Sequence, residues 1–98
     1  MHIDTILIER EETHGDFSEN AGTSQSLKSV MRGGLKWKTL SMSQRESLEM
    51  IAHKIGRILS GNPNFKDHWD DIAGYATLIS KELLNPTGQA LENGVVDS

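Results

Sequence analysis

Apolar positions recur every three or four residues along most of the chain, the period of an amphipathic helix. The clearest run is Leu48, Ile51, Ala52, Ile55, Ile58 and Leu59, which traces one face of a helix over about 43–60. A second run, Trp69, Ile72, Ala73, Ala76, Ile79, Ser80 and Leu83, predicts a helix over about 66–85 with that stripe buried. Gly61 supplies a stop for the first helix, and Asn62-Pro63-Asn64 a turn. So short a connection favours an antiparallel pair. Ser43-Gln44-Arg45-Glu46 has the form of a capping box, and Asn85-Pro86 ends the second helix. A weaker run of Phe17, Ala21, Ser24, Leu27, Val30 and Met31 predicts an earlier helix, capped by Asp16 or Thr13 and ended by Gly33-Gly34. Residues 3–12 suit a short helix, although the alternation of Ile6 and Ile8 also permits a strand. Leu35 to Leu40 reads as a connector from which Trp37 folds back on the core. The expected fold class is therefore all-α: a small helical bundle built on an antiparallel hairpin. One helical domain is expected over residues 1–85, with a flexible polar tail over 86–98.

Size changes what this pattern can achieve. A chain of 98 residues forms one domain at most, and its 36% hydrophobic and 5% aromatic content is thin for a self-sufficient monomer. A homo-oligomer, dimer or tetramer, is the expected remedy. The formal charge is −4, and the ten Lys and Arg are scattered, which argues against a duplex-DNA surface. There is no cysteine, so disulfides and thiolate metal sites are excluded. No apolar run approaches the length of a membrane span, and Met1-His2-Ile3-Asp4 has no signal-peptide character. The cytoplasm is the expected compartment.

Candidate chemistry concentrates on the hairpin. At 100° per residue, Glu46, Glu49 and His53 share a flank of the first helix, while Lys54 and Arg57 form a basic patch round its other edge. On the second helix His68, Asp71 and Tyr75 share a flank, with Asp67 and Asp70 nearby. In an antiparallel pair these carboxylates could converge as hard ligands for Mg²⁺ or Mn²⁺, and Lys54 and Arg57 could neutralise phosphate oxygens. Each has a plainer explanation. Glu46 suits the capping box, Asp67, Asp70 and Asp71 suit the positive end of a helix dipole, and both tryptophans suit the core. His14-Gly15-Asp16, just before a helix, could expose amides to an anion or could simply break and cap. No Ser/His/Asp triad, HExxH or GxxxxGK[ST] pattern occurs.

Three stretches add a likeness that spacing does not supply. They are the segment 9–20 containing Thr13-His14-Gly15-Asp16-Phe17, the segment 44–59 containing Lys54-Ile55-Gly56-Arg57-Ile58, and Lys66-Asp67-His68-Trp69-Asp70-Asp71-Ile72-Ala73-Gly74-Tyr75-Ala76. Together they resemble a group of small phage and prophage proteins. That group is in turn distantly similar to the MazG-like, all-α nucleotide pyrophosphatases, which bind Mg²⁺ through an ExxE motif on one helix and an ExxD motif on the next. Glu46-Ser47-Leu48-Glu49 matches ExxE; the second motif departs, because neither His68–Asp71 nor Asp67–Asp70 opens with glutamate.

The resemblance implies a protein that binds a nucleotide through a divalent cation, with hydrolysis of nucleoside triphosphates as the associated chemistry and no catalytic residue assigned. Glu46, Glu49, His53, Asp67 and Asp71 would hold the metal. His14, Asp16, Lys54, Arg57, His68 and Tyr75 would contact the ligand. The competing expectation is a non-enzymatic phage accessory protein that binds and modulates a host protein. The two differ in whether Glu49→Gln or Asp71→Asn abolishes metal and nucleotide binding.

Overall fold

The computed structural model describes residues 3–84, which form four α-helices and one 3-10 turn. They are α1 (Ile3–His14), α2 (Phe17–Arg32), α3 (Met42–Ser60) and α4 (Lys66–Glu82), with the 3-10 turn at Trp37–Thr39. The segment 3–12 is thus helical throughout. The expected tail, 86–98, lies outside the described residues.

The start of α3 corrects one expectation. Its N-cap is Ser41, whose hydroxyl accepts from the Gln44 amide while the Gln44 side chain accepts from the Ser41 amide. The box therefore forms two residues before Ser43, and Glu46 stands inside the helix. Both tetrads satisfy the S-x-x-E/Q pattern; the earlier one wins because it adds helical residues at no loss of cap. Asp16 caps α2 by accepting from the Glu19 amide, as expected of it.

α3 lies in the middle, with α2 on one flank and α4 on the other, and both neighbours run antiparallel to it. Arg32 at the end of α2 reaches Glu49 in the first half of α3, while Asn20 near the start of α2 meets Gly56 in the second half. Ser47 donates to the Tyr75 carbonyl, and Lys54 pairs with Asp71. α2 and α4 share no comparable packing of their own. The all-α fold and the hairpin expected from the sequence are both present, and the bundle takes the form of an open three-helix layer.

The wheel of α3 explains the layer. Ser47 and Lys54 turn towards α4 and Gly56 towards α2, and with Ala52 and Ile58 they are the buried residues of the helix. The stripe expected in the core, Leu48, Ile51, Ile55 and Leu59, is covered less well, and Leu59 is 70% exposed. On α4 the same holds: His68 is the buried residue, whereas Trp69 is 53% exposed and Ala76 and Leu83 face solvent. Trp69 is an edge residue whose indole donates to the Pro63 carbonyl. Trp37 is half-buried, with the Arg45 guanidinium over its ring. The helices are placed as the sequence implies, but the apolar stripes are left largely uncovered within one chain. Only Ala52 and Ile58 are fully buried hydrophobes among the described residues.

Candidate functional site

The opposite face of the layer carries the charge. It is assembled where the α1–α2 hinge folds over the end of α3 and the start of α4. Gly15 makes the hinge, with φ of +82°, a left-handed conformation that side chains resist. A Cβ there would collide with the Ser60 carbonyl group. Gly61 faces it: a Cβ on Gly61 would come within 2.7 Å of Thr13 O, His14 C and Gly15 N. The two glycines let the hinge and the end of α3 meet backbone to backbone.

The Thr13 carbonyl near the end of α1 accepts from His68 Nε2 at 2.9 Å and from the Asn62 amide at 3.3 Å. That bond makes Nε2 a protonated nitrogen of His68, which is 1% exposed. His14 lies edge-on to His68 with ring centroids 4.9 Å apart, and Phe65 closes the cluster at 4.9 Å from His68. Thr13 Oγ1 is hydrogen-bonded to His14 Nδ1. The Gly15 amide is spent on the Glu11 carbonyl, so it is not free to meet an anion as the His14-Gly15-Asp16 segment suggested.

Beside this cluster α3 presents His53, Lys54 and Arg57. Lys54 Nζ lies 2.9 Å from Asp71 Oδ2, and the lysine side chain is 11% exposed. That hydrogen bond and charge hold the Asp71 carboxyl below its usual range. Burial lowers the His14 pKa, and the neighbouring Arg57, His68, Arg10 and Lys54 lower it further. Burial likewise lowers His53, assisted by Arg57, Lys28 and Lys54. Arg57 is itself lowered by burial and by Arg10, against the opposing influence of Asp71 and Tyr75. Cations of α1 and α3 therefore lie near His14, and cations of α2 and α3 near His53, in a chain whose net charge is −4. Four buried polar atoms on these helices, Asn20 Oδ1, Ser24 Oγ, Arg45 Nε and Arg57 Nε, have no hydrogen-bond partner. Along the same side a shallow groove of about 330 Å³ is lined by Asp70, Asp71, Gly74, Tyr75 and Leu78.

A family model described as a domain of unknown function, DUF6378, matches residues 3–83. The chain belongs to the DUF6378 family. No curated protein and no solved structure matches it. The match spans all four helices of this DUF6378 domain, so the hinge, the cationic cluster and the hairpin are parts of one family unit.

Within the DUF6378 chain the expected site residues divide. His14 and His68 are in ring contact, Lys54 meets Asp71, Asp71 and Tyr75 line one groove, and His53 and Arg57 stand beside Lys54 on α3. The remaining carboxylates stand apart. Glu49 is held by Arg32 at 2.9 Å across the α2–α3 flank. Glu46 lines a separate groove with Met42 and Glu82. Asp67 is exposed in the first turn of α4, and Asp16 is spent on the α2 cap. Among the described residues no group of three or more His, Asp or Glu side chains is close enough to hold a metal ion. The expected metal set of Glu46, Glu49, His53, Asp67 and Asp71 is thus spread over two flanks and an edge, and its carboxylates do not fit an Mg²⁺ or Mn²⁺ cage. No described helix is long and apolar enough to cross a membrane.

Sequence reasoning missed Arg10, Asn20, Gly56 and Gly61 as site residues. Gly56 carried a usable signal: a glycine inside an otherwise regular helix costs about 1 kcal/mol and marks a close approach. Here the visitor is Asn20, whose Oδ1 would lie 2.5 Å from a Cβ on Gly56.

Proposed function

We propose that this protein binds a phosphate-bearing ligand, a nucleotide or nucleotide-like molecule, on the charged face of the layer. The observation that carries the reading is the pair Lys54 and Arg57, three residues apart on α3 with Arg57 Nε buried and unpartnered, beside the imidazoles of His53 on the same helix and of His14 in the His14–His68 cluster. Burial already disfavours protonation of both imidazoles and of the guanidinium. An anion relieves the repulsion among the neighbouring cations, and a phosphate is the oxyanion whose geometry Arg57 matches. Lys54 spends one of its three donors on Asp71, which leaves two for a ligand. The groove beside Tyr75 gives a base or sugar a place to lie.

The distant similarity to MazG-like pyrophosphatases supports the choice of a nucleotide among phosphate ligands. It does not extend to a resident metal, because Glu49 and Asp71 are engaged by Arg32 and Lys54. In this reading phosphate oxygens meet the side chains directly, and a divalent ion would enter as the counter-ion of a polyphosphate. The proposal is one of binding. Hydrolysis would need a group that activates water, and the carboxylates that proteins of that type use for it stand apart here.

The test is a thermal-shift and calorimetric screen against nucleoside mono-, di- and triphosphates, with and without Mg²⁺. A ligand that binds only the folded chain at about 100 times its dissociation constant adds about 2.7 kcal/mol, a rise of several degrees. Arg57→Gln should weaken the binding about tenfold or more while the protein stays folded, the scale of one charge-assisted contact of about 1.5–3 kcal/mol. No shift with any phosphate compound would remove this reading and favour an accessory protein that acts by binding another protein.

A further inference from the structure

We infer that the apolar face of the layer, opposite the charged one, is the interface of a homodimer formed by two antiparallel α3 helices. The face runs along the α3 stripe from Leu48 to Leu59 and the α4 stripe from Trp69 to Leu83. The residues of these stripes include no Lys, Arg, Asp or Glu. The face holds a groove of about 310 Å³ in which Leu40, Leu48, Ile51, Ala76 and Ile79 meet. At the other end of α3, Leu59 stands out at 70% exposure. A knob and a groove on the same face, related by one twofold operation, are what a self-complementary surface requires. A twofold axis near residue 53 of α3 places Leu59 of each protomer against the Leu48 groove of the other, and Ile51 opposite Ile55.

Area and composition select a second copy over other occupants. α4 has 17 residues and is about 25 Å long. Two helices of about 10 Å diameter lying side by side over that length present on the order of 500 Å² in projection. A standard interface takes about 800 Å² of accessible surface per partner. Residues 86–98 contain only Leu91, Val95 and Val96 as large apolar side chains, too few to cover such a face. The protomer itself gives the face little cover: among the described residues Ala52 and Ile58 are the buried hydrophobes. A partner required for folding must be present whenever the chain is made, and another copy always is.

The chain has no native cysteine, which makes the test direct. Sedimentation equilibrium of the full chain at micromolar concentration should give twice the 10.9 kDa chain mass. Ile55→Cys, close to the axis, should be linked between protomers by a short bismaleimide, and Leu78→Cys, on the charged side, should not. Leu59→Asp should raise the dissociation constant about 30-fold or more, the effect of losing a central anchor. Leu78→Asp, a similar change on the charged side at a residue 58% exposed, should leave the dimer intact. Wild-type protein that sediments as a folded monomer overturns the proposal. In that case a slow-reacting thiol in the Ile55→Cys variant would assign the face to the chain's own tail, and a fast one would leave it to a foreign protein. A dimer linked through the Leu78→Cys thiol and indifferent to Leu59→Asp overturns it equally, by placing the interface on the other face.

Discussion

The two faces of the α2–α3–α4 layer are built from the same three helices and differ in nearly every side chain they present. One carries Leu48, Ile51, Ile55 and Leu59 of α3 beside Trp69, Ala76 and Ile79 of α4. The other carries His53, Lys54 and Arg57 opposite Asp71 and Tyr75, and it alone receives the α1–α2 hinge. A helix of a globular protein usually sends its apolar stripe inward and its charges outward. Here the intramolecular contacts are made by small and polar residues on the flanks, Asn20 and Ser24 on α2 and Ser47, Ala52 and Gly56 on α3. The apolar stripe and the charged stripe are both left for something else. One helix can thus present a packing flank, an apolar stripe and a charged stripe at once, because its flanks point in different directions.

The seam between the faces is where substitution should cost most. Gly15→Ala forces a left-handed φ on a residue with a Cβ and drives that Cβ into the Ser60 backbone. The expected cost is about 3 kcal/mol or more, read by urea denaturation, because backbone strain and overpacking act together. His68→Ala should follow at about 2–3 kcal/mol. It empties a fully buried position and removes one of the two donors to the Thr13 carbonyl. Loss of both effects would mean that the hinge is not packed on α3 as described.

A matched pair of substitutions separates the faces themselves. Leu48→Asp should lower the melting temperature by several degrees. Leu78→Asp, on the charged side at 58% exposure, should change stability by no more than about 0.5 kcal/mol. Equal effects would erase the distinction.

The smallest expected effect is a slope with pH. His14 and His53 both have pKa values lowered from 6.5 in the fold, so the unfolded chain binds more protons below about pH 7. Their contribution is complete above about pH 7 and is lost as pH falls through 6.5 towards the lower folded values. The urea midpoint should therefore fall between about pH 7.5 and about pH 5.5, and the double variant His14→Gln/His53→Gln should flatten that slope. Asp71 does not confuse this window, since its lowered pKa affects stability only at more acidic pH.

The helices were legible because periodicity and breakers are local properties. Gly33-Gly34, Gly61 and Asn62-Pro63 each fall between the helices, and Asp16 caps where a capping residue was expected. What could not be read locally is which flank of a helix meets which neighbour. Leu59 and Trp69 fit a core stripe by spacing, yet a three-helix layer offers that stripe little cover within the chain. The site followed the same rule. The spacing put Lys54, Arg57, His68 and Asp71 on adjacent helices, and Lys54 does meet Asp71 there. Glu49 and Gly56 meet partners on α2, Arg32 and Asn20, which lie far back along the chain, and no pattern within a helix reports them.

The Thr13 carbonyl holds the Asn62 amide and the His68 ring together, so the last turn of α1 cannot lift without freeing donors in two other segments. The earlier turns of α1 have no such tie, and Ile6, Leu7 and Ile8 are exposed there. Amide hydrogen exchange should accordingly be graded along one helix. The early α1 amides should exchange by local fraying, while Gly15, Gly61 and Asn62 should slow together and exchange in a single cooperative opening.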